Sequence, residues 1–94
     1  MNYYVYILLT KHKHKFFTYV GYTVNLTKRL NLHNNSKGAK YTKGKKWIII
    51  YKKKYKSKQL AMKFEYSLKK NRSKRNKIKL NYLKKNENIN FASL

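Results

Sequence analysis

Residues 3–9 of the chain, YYVYILL, form a continuous run of aromatic, β-branched and leucine side chains. The run is too short to cross a membrane as a helix, and it has the length of a buried strand. A second such run, FFTYVGY, covers residues 16–22, and the connection over residues 10–15 is short and polar. Short connections favour antiparallel pairing. The sequence therefore predicts a β-hairpin around which the rest of the chain must fold.

The next segment predicts a helix, a loop and a third strand. Asn25 is a candidate N-cap, and the helix that follows carries Leu26, Leu30 and Asn34 at i, i+4 and i+8. Residues 36–46 contain two glycines and five lysines, which is typical of a basic loop, and residues 47–51 (WIIIY) predict a strand that begins at Trp47.

Two further helices are predicted after this strand. Ser57 is a candidate cap for the first, whose apolar stripe consists of Leu60, Ala61, Phe64 and Leu68. Residues 71–72 end that helix. Ser73 is the candidate cap of the last helix, whose predicted buried side is Ile78, Tyr82 and Leu83.

The predicted element order is β-β-α-β-α-α. It indicates one α+β domain over residues 1–85, with a small three-stranded sheet, mixed or antiparallel, flanked by helices. Residues 86–94 are predicted to be a polar C-terminal tail.

The charge is the most unusual feature of the composition. Lys and Arg number 25 against two acidic residues, Glu65 and Glu87, which gives a net charge of +23. An ordinary domain of this length carries about a dozen acids, and their absence favours a polyanionic partner. No apolar run is long enough for a membrane span and the N-terminus has no signal-peptide pattern, so we expect a soluble cytoplasmic protein without a membrane partner.

The same composition excludes several classes of enzyme. The chain has no cysteine, which removes disulfides, zinc–thiolate sites and cysteine nucleophiles. Having no Asp and two Glu, it offers little for chemistry that needs paired carboxylates. His12 and His14 are two residues apart in the predicted turn, where exposed turn residues are the simpler interpretation than metal ligands.

A small set of residues suits phosphodiester hydrolysis. Arg29 and His33 project from one helix face at i and i+4, and a hairpin brings Tyr6 and Tyr19 close to one another. A carboxylate such as Glu65 can hold Mg²⁺, an arginine can stabilise phosphorane charge, and a phenol can orient or deprotonate water. Spacing alone also allows simpler interpretations, in which the tyrosines are core residues and Glu65 pairs with Lys69 at i+4.

The order of the motifs resembles the GIY-YIG nuclease superfamily over about residues 3–85. The first signature corresponds to Tyr4-Val5-Tyr6, with Tyr4 at the position of the name-giving glycine, and the second to Tyr19-Val20-Gly21. Arg29 with His33, the segment Gly38-Ala39-Lys40-Tyr41-Thr42, and Glu65 on a later helix then follow in the order that the short bacterial members of the superfamily show.

The resemblance implies a one-metal mechanism on a compact α+β fold. Glu65 is implied as the protein ligand of Mg²⁺ or Mn²⁺, and either Tyr6 or Tyr19 as the group that accepts a proton from the attacking water. Arg29 is implied to brace the phosphate, while His33 bonds a phosphate oxygen or a tyrosine.

The remaining implied residues lie around this set. Gly21 lets the backbone turn closely beside the site, and Lys40, Tyr41 and Lys43 face the nucleic acid from the loop. The superfamily also has an asparagine that supports the site, for which Asn71 and Asn76 are both candidates.

The leading function hypothesis is a structure-directed or damage-directed DNA endonuclease, as in DNA repair, with little sequence preference. A protein partner or self-association could direct it. The first alternative is a non-catalytic nucleic-acid-binding protein, for RNA or DNA, on the same fold. The second is a ribosome-associated structural protein, which the basic composition allows but the ordered motifs do not explain.

Overall fold

The two apolar runs pair as an antiparallel hairpin in the computed structural model, which describes residues 1–86. Strand β1 spans Tyr3–His12 and strand β2 spans Lys15–Thr23. Both are longer than predicted, because the polar residues beyond the apolar runs continue the backbone ladder. Only Lys13 and His14 remain in the turn, both with positive φ (51° and 67°), as a two-residue hairpin turn requires. The polar turn predicted over residues 10–15 was therefore wrong except at Lys13 and His14.

Strand β3 spans Ile48–Tyr55 and pairs antiparallel with the other side of β1. The sheet order is β2-β1-β3, so the most apolar strand is central. The predicted α+β fold and its order β-β-α-β-α-α are confirmed, and the sheet is antiparallel rather than mixed. The basic loop before β3 contains one turn of 3₁₀ helix, Lys40–Thr42.

Trp47 precedes β3 instead of beginning it, contrary to the prediction. Its backbone N–H donates to Oδ1 of Asn34 at 2.6 Å, and its carbonyl accepts from Nδ2 of the same side chain at 3.1 Å. Asn34, at the end of the first helix, thus binds the backbone N–H and carbonyl of Trp47, which a strand residue would use to pair with the neighbouring strand.

Three helices complete the fold: α1 spans Leu26–Asn34, α2 spans Lys58–Lys70 and α3 spans Arg72–Lys85. The predicted caps of the first two are confirmed. Asn25 accepts from the backbone N–H of Lys28, and Ser57 accepts from that of Leu60. None of the helices within residues 1–86 has the length and apolar character that crossing a membrane requires.

The sheet has a hydrophobic cluster on each face. On the α1 face, Tyr6, Leu8 and Trp47 are buried against Leu26 and Leu30. On the opposite face, alternate residues of β1 and β2 pack against α2; they are Val5, Ile7 and Val20, with Ala61 and Leu68 from the helix. Ile78, Tyr82 and Leu83 are the half-buried side of α3.

The buried face of α2 differs from the prediction. Ala61 and Leu68 are buried, but Leu60 is 45% exposed and Phe64 is 42% exposed and stacks on Tyr55. Ala61 and Leu68 are seven residues apart, so Glu65, four residues after Ala61, lies on the same face. The helix is rotated relative to the predicted stripe, and this rotation turns its carboxylate towards the sheet.

The cap of α3 is Asn71 and not Ser73. The Asn71 side chain accepts from the backbone N–H of Lys74 at 3.0 Å. The same residue ends α2, where its backbone N–H bonds carbonyls of the last turn. The break between the helices is therefore a single residue, which leaves Ser73 inside the first turn of α3. Residues 87–94, most of the predicted polar tail, lie outside the described residues.

Because Asn71 supplies the cap, we expect Asn71→Ala to lower the free energy of unfolding by about 1 kcal/mol. Ser73→Ala is the matched control, since it removes a polar side chain two residues away that caps nothing, and we expect it to stay within about 0.5 kcal/mol of the wild type. Urea unfolding followed by circular dichroism measures both. A larger loss in Ser73→Ala than in Asn71→Ala would contradict this assignment.

Candidate active site

Tyr6 is the centre of the candidate site. It lies in the middle of β1, on the α1 face, and is almost fully buried. The register places it opposite Gly21 of β2, and its ring lies directly over that glycine. A Cβ at residue 21 would stand 2.4 Å from the Tyr6 hydroxyl oxygen and 2.6 Å from Cζ. Gly21 is therefore needed for the tyrosine to take this position.

A chain of buried hydrogen bonds extends from Tyr6 through His33 to Thr42. The Tyr6 hydroxyl lies 2.9 Å from Nε2 of His33, and Nδ1 of His33 lies 2.8 Å from the Thr42 hydroxyl. The Thr42 hydroxyl in turn donates to the carbonyl of Ala39 at 2.9 Å. His33 and Thr42 are both fully buried.

The end of this chain assigns its direction. Because Thr42 gives its one proton to a carbonyl, its oxygen is the acceptor for His33, which must carry its proton on Nδ1. Nε2 is then left with a lone pair, and the Tyr6 hydroxyl donates to it. The neutral imidazole thus presents a proton acceptor to the tyrosine.

The electrostatics agree with a neutral histidine. Burial lowers the pKa of His33 to about 4, with a further contribution from the positive charge of Arg29. Burial raises the pKa of Tyr6, and this effect exceeds the opposing hydrogen bond and charge of Arg29. At neutral pH the pair is therefore a phenol donating to an uncharged imidazole.

Tyr19 and Tyr41 continue the site outward from His33. The ring centroid of Tyr19 is 5.1 Å from that of His33, and Tyr41 stacks on Tyr19 at 6.1 Å with 22° between the ring planes. Tyr41 is 49% exposed. The three rings form a column that leads from the buried histidine to the surface.

Glu65 reaches the site from α2. Its side chain is 16% exposed and forms an ion pair of 3.4 Å with the half-exposed Lys69. Burial is the main cause of the raised pKa of Tyr6; the positive charge of Arg29 opposes this rise and the negative charge of Glu65 adds to it. The structure thus brings Tyr6, Tyr19 and His33 into contact on the α1 face, while the charges of Arg29 and Glu65 act on Tyr6 from opposite faces of the sheet.

The carboxylate of Glu65 suits a hydrated divalent cation. Mg²⁺ keeps several waters and uses one or two carboxylates together with substrate phosphates. Within residues 1–86, no group of three or more His, Cys, Asp or Glu side chains lies close enough to cage a metal. A partly exposed single carboxylate therefore fits an ion whose remaining ligands come from water and substrate. His12 and His14 are exposed at the hairpin turn, far along the sheet from Tyr6.

The other predicted site residues lie around this core. Lys40 and Lys43 are exposed at the two ends of the 3₁₀ turn that carries Tyr41. Of the two candidate asparagines, Asn71 uses its side chain as the cap of α3, while Asn76 faces the same groove as Tyr19 and Lys69. Which of the two supports the site stays a prediction, and Asn76 is the one that shares a groove with Tyr19.

Gly38 and Thr42, which have no individual role in the sequence pattern, complete the surroundings of His33. A Cβ at Gly38 would stand 2.4 Å from Nδ1 of His33, so the loop backbone lies directly against the imidazole. Neither residue has a distinctive spacing from His33. The segment Gly38-Ala39-Lys40-Tyr41-Thr42 that carried the family resemblance was the available signal, and it did not indicate which member of the segment contacts the histidine.

Comparison with known proteins shows the family to which the chain is similar. A family model described as the GIY-YIG catalytic domain matches residues 2–79. A UPF0213 protein of Streptococcus agalactiae is 41% identical over 71 residues, covering 74% of this chain and 77% of that protein. A UPF0213 protein of Oceanobacillus iheyensis is 44% identical over 69 residues, covering 72% of this chain and 77% of the relative. The solution NMR structure of the UPF0213 protein BH0048 from Bacillus halodurans has 36% identity and a TM-score of 0.44, with 85% of each chain covered.

The lowered pKa of His33 makes the stability of the fold depend on pH. His33 is less basic in the folded chain (pKa about 4) than the ordinary value of 6.5, so the unfolded chain binds the proton more readily. Its contribution to stability is complete above about pH 6.5 and is lost as the pH falls towards 4, by up to about 3 kcal/mol. Urea unfolding at constant ionic strength between pH 7 and 4.5 measures this loss.

Two variants isolate the effect of His33. We expect His33→Gln to be less stable at pH 7 but nearly independent of pH over this interval, because glutamine does not titrate. The exposed pair His12→Gln and His14→Gln should keep the wild-type pH dependence. A wild type whose stability does not change between pH 6.5 and 4.5 would rule out a buried neutral His33.

Proposed function

The chain belongs to the GIY-YIG family, and we propose that it is a metal-dependent endonuclease that hydrolyses phosphodiester bonds in nucleic acid, with DNA as the substrate. The observation that carries the proposal is the buried hydrogen-bond chain from Tyr6 through His33 to Thr42, whose tyrosine lies within the electrostatic influence of Arg29 and Glu65. In this chain the acceptor of the Tyr6 proton is a neutral imidazole nitrogen, a group that can take the proton from the phenol, which a backbone carbonyl could not do.

Tyr6 is the proton acceptor in this proposal. The attacking water gives a proton to the Tyr6 oxygen while Tyr6 passes its own proton to Nε2 of His33. The water oxygen forms the new bond to phosphorus, the bond to the leaving ribose oxygen breaks, and the leaving oxygen takes a proton from solvent. Tyr19 is less suited to this role, because it contacts His33 through its ring, at 58° between the ring planes, whereas the hydroxyl bonded to Nε2 of His33 is that of Tyr6. The passage of the proton to His33 avoids a free phenolate at a tyrosine whose pKa burial has raised.

Arg29 stabilises the phosphate. Its positive charge lies near enough to both groups to oppose the rise of the Tyr6 pKa and to contribute to the lowered pKa of His33. Placed there, it meets the negative charge that develops on the phosphate oxygens during attack. The incoming phosphate charge also favours the protonated form of His33, which makes the proton transfer easier when substrate is bound.

Glu65 would hold the divalent ion, Mg²⁺ or Mn²⁺. When bound, such an ion would supply positive charge that stabilises the charge developing on the phosphate. Lys69, the present partner of Glu65, is half-exposed and can move to solvent or to a phosphate when the carboxylate binds the ion. Asn76 supports this side of the site from α3.

The surface supports a polyanionic substrate with little sequence preference. Lys40 and Lys43 flank Tyr41 at the mouth of the site, and the chain has a net charge of +23. Phosphate contacts of this kind position a strand without reading its bases. A cytoplasmic location and a directing partner, either another protein or a second copy of this chain, remain predictions from the sequence.

A nicking assay tests the assignment of Glu65 and Arg29. Purified protein is incubated with supercoiled, single-stranded and branched DNA and with RNA, in Mg²⁺, Mn²⁺ or EDTA. We expect metal-dependent cleavage that Glu65→Gln and Arg29→Ala each reduce about a hundredfold or more. Glu87→Gln removes the same charge from the chain's other glutamate and should retain full activity.

Two results would contradict this proposal. Cleavage retained by Glu65→Gln would show that the metal is held elsewhere. Salt-sensitive binding by all the variants, with no cleavage of any substrate, would instead favour the non-catalytic nucleic-acid-binding protein.

The role of Thr42 gives an independent test of the proton path. Thr42→Val keeps the shape of the side chain but removes the acceptor for Nδ1 of His33, so the imidazole can move its proton to Nε2 and no longer accept from Tyr6. We expect kcat to fall at least about tenfold with little change in KM. Thr42→Ser restores the hydroxyl and should restore kcat. Equal activity of the valine and serine variants would exclude this path.

A further inference from the structure

A groove lies between the outer edge of β2 and helices α2 and α3. It is open to solvent and has a volume of about 420 Å³, within the roughly 300–1,000 Å³ range of ligand-binding pockets. One side presents aromatic rings, from Phe17, Tyr19 and Tyr41. The other side presents cations, from Lys69, Arg72 and Lys79.

The cations that line the groove differ in whether other groups of the fold already use their hydrogen-bond donors. Within residues 1–86, neither Arg72 nor Lys79 makes a hydrogen bond or an ion pair through its charged group. Arg75, which also faces the groove, instead donates to the carbonyls of Leu68 and Lys69 and holds the corner between α2 and α3. The groove therefore carries two cations with free donors, and no carboxylate of the described chain lines it.

The aromatic wall offers a ring face beside these cations. Tyr41 stands at the rim, 49% exposed, with its position fixed by stacking on Tyr19. A fixed, half-exposed ring next to free cations matches a nucleotide, because a base can stack on the ring while its phosphate meets a cation.

We propose that this groove binds an unpaired stretch of a nucleic-acid strand next to the scissile phosphate. The inference rests on the proposed nuclease function and names the form of its substrate. In a duplex the faces of the bases are covered by their neighbours, and the outside presents only backbone and groove edges. Only an unpaired nucleotide can use both walls at once.

The groove is continuous with the candidate active site. Tyr19 belongs to both, since its ring contacts His33 and also lines the groove. Lys69 belongs to both as well, through its ion pair with Glu65. A strand held along the groove is thereby led to Tyr6 and Glu65, which favours cleavage at junctions between paired and unpaired segments.

Binding without catalysis tests this proposal. Fluorescence anisotropy in EDTA compares a 12-nucleotide single strand, a blunt 12-base-pair duplex and a duplex with a single-stranded overhang, as DNA and as RNA. The groove variant is Arg72→Gln with Lys79→Gln. Its control, Lys54→Gln with Lys56→Gln, changes the charge equally at exposed positions at the other side of the sheet.

We expect the wild type to bind the single strand and the overhang more tightly than the blunt duplex. The groove variant should lose at least about tenfold in affinity for the single strand and reduce the slope of log K against log salt by about 1.4, which corresponds to two lost phosphate contacts. The control should keep the wild-type preference. Tyr41→Leu should lose about tenfold for the single strand, whereas Tyr41→Phe should retain it.

Equal affinity for single strand and duplex, or equal losses in the groove variant and its control, would overturn the groove proposal. These outcomes are separate from those of the nicking assay. Groove-dependent binding without cleavage would contradict the proposed nuclease function and support the groove as a binding site. The opposite result is metal-dependent cleavage that Glu65→Gln abolishes, with no effect of the Arg72 and Lys79 substitutions on binding. It would support the nuclease function and contradict the groove proposal. A DNA-only or RNA-only preference would identify which nucleic acid the groove accepts.

Discussion

The hydrogen bond between Tyr6 and His33 is the interaction on which the site depends. It joins the central strand to α1 through two polar groups that are almost fully buried, and such groups are costly to bury without partners. Each must therefore be satisfied within the fold. Thr42 accepts the hydrogen bond from Nδ1 on the other side of the imidazole, and two glycines, Gly21 and Gly38, leave room for the Tyr6 and His33 rings. One requirement thus fixes residues from four separate segments of the chain.

The scarcity of acidic residues shapes both the surface and the chemistry. The described chain has a single carboxylate side chain, Glu65, and α2 turns it towards the sheet rather than to solvent. A one-metal hydrolytic site needs only one such ligand, whereas most other hydrolytic sites need more. The cations left without acidic partners repel one another in the free protein, and a polyanionic strand relieves that repulsion when it binds. Composition and mechanism are therefore consistent with one another.

The sequence predicted the fold better than the details of the site. Strands and helices followed from side-chain periodicity, which depends on near neighbours in the chain, and the caps at Asn25 and Ser57 followed from local backbone chemistry. The failures involve competition between distant residues. The Asn34 side chain bonds the backbone of Trp47, which therefore does not begin β3. The packing of Ala61 and Leu68 against the sheet sets the rotation of α2. The role of Thr42 follows only from the folded structure, in which the loop packs against His33. Hydroxyl-bearing residues occur in many loops, and periodicity does not distinguish them.

The sheet has a further property that follows from its order. β1 is central and apolar, while β3 is an edge strand whose outer side has no partner within residues 1–86. Three consecutive exposed lysines, Lys52, Lys53 and Lys54, lie along that edge. Charged side chains of one sign prevent two such edges from pairing, so they protect a chain with a strongly aggregation-prone central strand from forming intermolecular sheets. The same positive charge that suits the protein to nucleic acid thus also keeps its copies apart during folding.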